Sequence, residues 1–314
     1  MRVWSSFIDI KPDLSGQPLV VTIGNFDGVH RGHQVLLTRT KAVAGADNRF
    51  SLVVTFKRHT SALLRKAAPP LLMSAEERLE FFEKMGMAGC LLLQFTPELA
   101  ELEPGEFLLH LTDLGAKAII VGHDFTFGKG AVGNTDYLLD FAGRHGIDAE
   151  VIPPVTVDGV VVSSSRIRSL LQDGQVKKAR QLLNRPFAVS APVIHGDHRG
   201  RTLGFPTANL RLPAERILPK YGVYLVRCHI RGKEYYGLAN VGVKPTFSPA
   251  QSLIEVYLFD TAEDFYGAKM TVEFLEFLRA ERRFSSAAEL VEQMKRDEEE
   301  GRRLLALYTG SELK

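Results

Sequence analysis

Cysteine is almost missing from this chain, with two in 314 residues. Cys90 and Cys228 stand far apart, each inside an apolar run, which suits buried thiols in a reducing compartment better than a disulfide framework. An excess of charge is missing too, because 39 Lys and Arg against 37 Asp and Glu leave a formal net charge of +2. The chain as a whole therefore carries no polyelectrolyte signal for nucleic acid or an anionic membrane, and the local clusters near Arg58 and Arg282 read as solvated faces. No stretch approaches the roughly 18 apolar residues of a membrane span. Asp9, Lys11 and Asp13 interrupt the N-terminal region where a signal peptide needs an unbroken apolar core. Internal repeats and low-complexity tracts are also lacking. Together these absences predict a cytoplasmic protein with no membrane or nucleic-acid partner.

What is present is a globular balance, 45% hydrophobic and 24% charged, in a chain long enough for about two domains of roughly 150 residues. The first part alternates apolar runs with helix-like segments. Leu19–Ile23, Leu52–Phe56, Leu91–Phe95, Ala118–Val121 and Val151–Ile152 read as buried parallel strands. Between two of them, Ser74 can cap a helix with Glu77 three residues on, followed by Leu79, Phe82 and Met85 at helical spacing. Repeated units of this kind predict a doubly wound α/β sheet. A last helical segment, Ser165 to Leu183, is broken by Asn184-Arg-Pro186, which places a domain boundary between 1–184 and 185–314. Beyond it, Gly222–Ile230, Tyr235–Gly242, Ile254–Phe259 and Met270–Leu278 are short runs bounded by Gly and Pro, the spacing of an antiparallel barrel or sandwich. Ser286 to Leu307 closes the chain as a helix whose charged face reads as solvated surface.

The strand Leu19–Ile23 runs into Gly24-Asn-Phe-Asp-Gly-Val-His30-Arg-Gly-His33 and then an apolar helix. A glycine-punctuated turn thus delivers two histidines to a helix N-terminus, where unpaired N–H groups and the helix dipole favour phosphate. Surface solvation of two turn histidines is one competing reading, and half of a metal site is another, which lacks nearby Cys or His partners. A second anion cradle is Ser163-Ser-Ser165-Arg-Ile-Arg168: serines cap helices in any protein, whereas Arg168 offers the fork that clamps phosphate bidentately. A third run, Gly122-His-Asp124-Phe125-Thr-Phe127-Gly128, follows the strand Ala118–Val121 at the sheet edge where doubly wound folds bind ligands. Its phenylalanines suit either the flanks of a planar ring or the core.

In this order GNFDGVHRGH, GHDFTFG and SSSRIR resemble the adenylyltransferase module of the bacterial bifunctional riboflavin kinase/FAD synthetases. The resemblance implies transfer of AMP from ATP to FMN with release of pyrophosphate and no covalent enzyme intermediate. It further implies that His30 and His33 contact the ATP phosphates and the developing charge. Gly24, Phe26, Gly32, Ser163, Ser164, Ser165 and Arg168 then hold ATP, with Arg168 counted among the catalytic groups. Asp124, Phe125, Phe127 and His59 lie near the flavin, and Asn25 and Asp27 hold the loop itself. One departure stands out: where the family usually reads Phe-x-Pro-His-Pro, this chain has Phe56-Lys-Arg-His59-Thr60.

The second half opens with Gly196-Asp-His-Arg-Gly200-Arg201-Thr-Leu-Gly204-Phe-Pro-Thr207-Ala-Asn209, a glycine-spaced loop that matches neither a Walker A nor a Rossmann fingerprint. Thr207 with Asn209 offers oxygens to a hard Mg²⁺. This string resembles the riboflavin kinase signature. The similarity continues through Leu218–Tyr224, Gly237–Phe247, Ile254–Tyr257 and Phe265–Gly267, and implies a β-barrel. Period two separates Glu255 and Tyr257 from Ile254, Val256 and Leu258; alone, Glu255 reads as a solvent-facing strand residue. By resemblance it is the base for the riboflavin 5′-hydroxyl, Thr207 and Asn209 hold Mg²⁺, and Gly196, Gly200, Arg201 and Gly204 bind ATP. The implied partners are riboflavin, FMN and ATP. Two other readings stay open: a riboflavin kinase whose first module has decayed, and a non-catalytic flavin- or nucleotide-binding protein.

Overall fold

In a computed structural model the residues described are 1–314 except 15, 62–67, 196–203, 245–250, 262 and 313–314. The chain divides into two units, Met1–Ser164 and Ser165–Lys314, each described here by itself.

The first unit is built on a six-stranded sheet in the order β1 (Arg2–Trp4), β4 (Gly89–Leu93), β3 (Phe50–Phe56), β2 (Leu19–Ile23), β5 (Ala116–Gly122), β6 (Asp148–Ile152), with every neighbouring pair parallel. Alternation explains why these strands read as unbroken apolar runs. Leu19, Val21 and Ile23 belong to a core with Ile10 of α1 (Phe7–Asp13), Phe107 and Leu111 of α5 (Pro104–Asp113), and Phe141 of α6 (Thr135–His145). Val20 belongs to a second core with Leu36 and Leu37 of α2 (Arg31–Ala46) and Phe82 of α3 (Ala75–Lys84). Both faces are covered, as a parallel sheet requires, and a short antiparallel pair, β7 (Thr156–Val157) and β8 (Val160–Val161), follows β6. The predicted capping box is present: Glu77 N–H donates to Ser74 Oγ (3.2 Å) and Ser74 N–H to Glu77 Oε2 (2.8 Å). Strand order reverses between β2 and β5, so the loops leaving their carboxyl ends open on the crevice where such sheets bind ligands.

Some sequence expectations shift. The N-terminal residues, notable in sequence only for lacking a signal peptide, form β1 and α1, and Asp13 accepts from the Trp4 indole at 2.7 Å. Phe95 lies beyond β4 because Thr96 caps the short α4 (Pro97–Ala100). The expected helix Ser165 to Leu183 is two, α7 (Ser164–Gln172) and α8 (Val176–Leu183), because Gly174 turns the chain with φ at +78°. The division into compact units falls at Ser164/Ser165; within the second unit Lys220 N–H donates to Leu171 O (2.8 Å) and α8 packs on the β-structure that follows.

The second unit is a closed antiparallel barrel of six strands in the order β10 (Thr207–Arg211), β13 (Gln251–Leu258), β12 (Lys233–Lys244), β11 (Gly222–Ile230), β14 (Lys269–Ala280), β9 (Phe187–Ile194). A barrel has no open edge, which decides between barrel and sandwich. Val226, Cys228, Val256 and Val272 are fully buried, while Val223, Leu225, Leu238 and Leu275 form an outer patch covered by Leu304, Leu305 and Tyr308 of α9 (Ala287–Glu312). Gly301 allows that close packing, because a Cβ there would lie 2.8 Å from Leu238. The charged face of α9 is not all solvated: Asp297 is buried and takes a bidentate bond from Arg279, with Nη2 at 2.7 Å. Each unit keeps one thiol inside its core, Cys90 on β4 and Cys228 on β11.

Candidate active sites

The first constellation grows from the turn after β2. Phe26 and Val29 hold φ values of +49° and +35°, and Gly28 holds +84°. A branched residue at positive φ is costly, of order 1–3 kcal/mol, and persists only where surroundings over-determine it. Here they do. The Asp27 carboxylate, nearly inaccessible, accepts from Leu72 N–H (2.9 Å) and Met73 N–H (3.1 Å), Ser164 Oγ donates to the Asp27 carbonyl (2.8 Å), and Gln34 Nε2 donates to the Val29 carbonyl (2.8 Å). The turn leads into α2 with His30 as its cap. His30 Nδ1 accepts from His33 N–H at 3.3 Å, which leaves the ring proton on Nε2 as a donor. The two imidazoles stack with centroids 3.6 Å apart, and Phe26 supports His33 edge-on at 5.2 Å. A Cβ on Gly32 would press on the His30 ring at 3.2 Å. Two neighbouring donors at a positive helix end, on a loop held from three directions, can bind phosphate oxygens and stabilise charge that grows on them.

The other predicted residues of this constellation fall on several elements. Gly24 N–H is bonded to the Val54 carbonyl (3.1 Å). His59, at the exit of β3, has Nδ1 2.8 Å from Ser61 Oγ. Asp124 is exposed beyond β5, and Phe125 stacks on Phe127 at 5.1 Å. Phe127 itself is buried against Phe107 and Tyr137, so its place is in the core and Phe125 is the ring nearer the surface. Ser163 and Ser164 are half-buried at the start of α7, Ser165 is exposed, and Arg168 is buried one turn further along that helix. Sequence reading missed Arg78, a buried guanidinium on α3 that donates to the Asn25 carbonyl (2.6 Å), Thr55 Oγ1 (3.0 Å) and the Phe56 carbonyl (2.6 Å). Burial lowers its pKa and Asp27 opposes that shift. An arginine in an amphipathic helix carries no sequence mark of such a role.

The second constellation is a matter of register. Glu255 on β13 stands directly opposite Asn209 on β10 and opposite Asn240 on β12, and Thr207 stands opposite Tyr257. Directly paired residues share a face with Cβ atoms about 5 Å apart, so Asn209, Glu255 and Asn240 form one row. That row lies on the barrel's outer face, the face on which Tyr257 packs. Asn209 is buried; its Nδ2 donates to the Thr207 carbonyl (3.4 Å), while its Oδ1 has no hydrogen-bond partner among the described residues. A buried oxygen without a partner is costly unless something else binds it. Phe205, buried edge-on against Tyr257 at 5.1 Å, anchors the segment entering β10. Asn240 was not singled out from sequence, although its place in Gly237–Phe247 puts it within the signature. Gly204 is exposed with φ at +86°, whereas Gly196, Gly200 and Arg201 lie outside the described residues.

No group of three or more His, Cys, Asp or Glu side chains among the described residues is placed to hold a metal, and no helix among them is long and apolar enough to cross a membrane. Comparison with known families matches residues 14–166 to FAD synthetase and residues 183–305 to riboflavin kinase. A bifunctional riboflavin kinase/FMN adenylyltransferase of Bacillus subtilis is 37% identical over 288 residues, 90% of each chain. One of Escherichia coli is 37% identical over 292 residues, covering 92% of this chain and 93% of its own. A crystal structure described as a macrolide-efflux protein of Streptococcus pneumoniae superposes with a TM-score of 0.86 at 33% identity, over 96% of this chain and 98% of the other. With both modules matched and likeness at this level running through nine-tenths of the sequence, the chain belongs to the family of bifunctional riboflavin kinase/FMN adenylyltransferases.

Proposed function

We propose that residues 185–314 phosphorylate riboflavin to FMN and residues 1–184 adenylylate FMN to FAD, each reaction consuming ATP, in the cytoplasm. The observation that carries this reading is the row across β10, β13 and β12, where a strand carboxylate is paired in register with a residue whose buried amide oxygen has no hydrogen-bond partner among the described residues. In the kinase reaction the riboflavin 5′-oxygen bonds to the γ-phosphorus of ATP, the bond to the bridging oxygen breaks, and ADP leaves. Glu255 accepts the hydroxyl proton, with Asn240 paired opposite it on the same face. Thr207 and Asn209 suit a hard cation, since Asn209 Oδ1 is buried and Mg²⁺ takes oxygen ligands. Bound there, Mg²⁺ would neutralise charge on the transferring phosphates. Gly196, Gly200, Arg201 and Gly204 belong to the loop that holds ATP.

In the adenylyl transfer an FMN phosphate oxygen bonds to the α-phosphorus, the bond from that phosphorus to the bridging oxygen breaks, and pyrophosphate leaves. Alignment and charge stabilisation are all the protein has to supply. His30 and His33 donate to the phosphate oxygens; Arg168, Ser163, Ser164 and Ser165 hold the triphosphate; Gly24, Phe26 and Gly32 shape the turn; Asp124, Phe125 and His59 face the flavin, with Phe127 supporting Phe125 from the core. The test is chromatography of flavins after incubation with riboflavin, ATP and Mg²⁺, beside a reaction started from FMN. FMN followed by FAD is expected. FMN without FAD from either start means a silent first module, and no product with flavin bound means a binding protein.

A further inference from the structure

The loop that leaves β3, Phe56 to Thr60, has no proline to stiffen it, and none occurs before Pro69. It is nevertheless tied down at both ends to the turn that carries His30 and His33. At one end Thr60 N–H donates to Asn25 Oδ1 (3.2 Å) and Asn25 Nδ2 donates to Thr60 Oγ1 (3.2 Å), so amide and threonine exchange two hydrogen bonds across 35 positions of sequence. At the other, Arg78 bonds the Asn25 carbonyl and the Phe56 carbonyl at 2.6 Å each, and reaches the Lys57 carbonyl at 3.4 Å. Thr55 Oγ1 adds a bond to the Asn25 carbonyl (3.3 Å). Asn25 takes part in the bonds to Thr60, Thr55 and Arg78, Arg78 carries the tie on to the Phe56 and Lys57 carbonyls, and His59 sits inside the segment they bracket. A two-bond amide pair fixes direction as well as distance, which a contact between apolar residues does not.

We propose that Asn25, Thr60 and Arg78 are positioning residues for adenylyl transfer, forming a clamp that sets the loop of His59 in register with the loop of His30 and His33. This rests on the reading that the histidine turn faces ATP and the His59 loop faces the flavin. The clamp touches neither substrate. Its effect is on the mutual placement of two reactants, and misplacement by about 1 Å can cost up to about a hundredfold in rate. Loosening it leaves each substrate able to bind and slows the step that needs both.

The experiment uses the full chain with Asn25→Ala, Thr60→Ala, the double substitution and Thr60→Ser, and measures the Kd of FMN, the Kd of ATP, kcat for FAD formation from FMN, and riboflavin phosphorylation in the same preparations. The expected result is a fall in kcat of about tenfold for each alanine variant, with both Kd values and phosphorylation within about twofold of the parent. Thr60→Ser, which keeps both the N–H and the hydroxyl, returns kcat to within about twofold, and the double variant falls no further than the worse single, because the two side chains share their bonds. The clamp is overturned if the single losses multiply in the double variant, if Thr60→Ala matches the parent, or if Kd and kcat worsen together. Where Asn25→Ala fails to fold, Thr60→Ala against Thr60→Ser decides the matter. His33→Ala separates this from the underlying reading: FAD formation that survives it removes the histidine turn from the site, whereas a silent His33→Ala beside multiplying losses sinks the clamp alone.

Discussion

The two units hold their chemistry in opposite ways. In the first, the groups stand on turns, and the turns are held by side chains brought in from elsewhere: Asp27 by the amides of Leu72 and Met73, Asn25 by Thr60 and Arg78. In the second, Asn209, Glu255 and Asn240 stand on strands, and the backbone ladder sets them opposite one another. A site on turns tolerates backbone strain but depends on many distant partners. A site on a ladder depends on register, and a slip of one residue would turn every side chain to the other face.

The sharpest way to break this contrast is to silence one site and watch the other. Glu255→Gln is expected to lower FMN formation by roughly 10²–10⁴-fold, the range for a lost general base, and to leave FAD formation from supplied FMN unchanged. His33→Ala is expected to do the reverse, with a loss of about a hundredfold or more in FAD formation. Either substitution silencing both reactions in folded protein would refute separate sites.

Register is tested next. A Cβ at Gly237 on β12 would collide with the Tyr257 carbonyl of β13, so Gly237→Ala is expected to destabilise the barrel by about 3 kcal/mol, at the upper end of ordinary overpacking, and to cost phosphorylation. At Gly28 in the first unit, where φ is +84° and Leu72 lies 2.7 Å from the added carbon, alanine is expected to cost about 1–2 kcal/mol and to reduce adenylylation only. Denaturant midpoints followed by each activity report the two separately; equal losses at both glycines would erase the distinction between ladder and turn.

Smaller effects sharpen it further. Asn209→Ala removes the buried oxygen, and a rise of about tenfold in the Mg²⁺ concentration for half-maximal phosphorylation is expected, with Mg²⁺ titration as the check. An unchanged Mg²⁺ requirement would take Asn209 out of the cation site. Ser74→Ala breaks the capping box on α3, the helix that carries Arg78, at a cost of about 1 kcal/mol read as a lower thermal midpoint for the first unit.

Sequence reading reached the strands of both units because their apolar periods are strong, and it reached the capping box because Ser74 and Glu77 stand at a fixed spacing. It also placed His30 and His33 at a helix start, where the structure has them. What it missed depends on distance in the chain. Arg78 lies 53 positions from Asn25, and nothing in its own helix marks it as a partner for carbonyls. The Asn209–Glu255–Asn240 row needs three strands in known register, which period two does not supply. Gly174 was treated as one more helical residue, yet its positive φ divides α7 from α8. Phe127 suits either a planar ring or the core by sequence, and the structure buries it in the core, an ambiguity inherent in an aromatic beside a strand.

The two cysteines have a practical consequence. Each lies inside the core of a different unit, and burial pushes the Cys90 thiol up to about 12 and raises the Cys228 thiol as well. At pH 8 neither is a nucleophile while its unit is folded, so alkylation proceeds only as fast as each core opens. The molecule thereby contains two independent clocks, one per module, readable by peptide mass in a single tube. Adding FMN or riboflavin and ATP should slow the clock of whichever module is occupied, and comparing the two rates tells which substrate protects which half without any label being introduced.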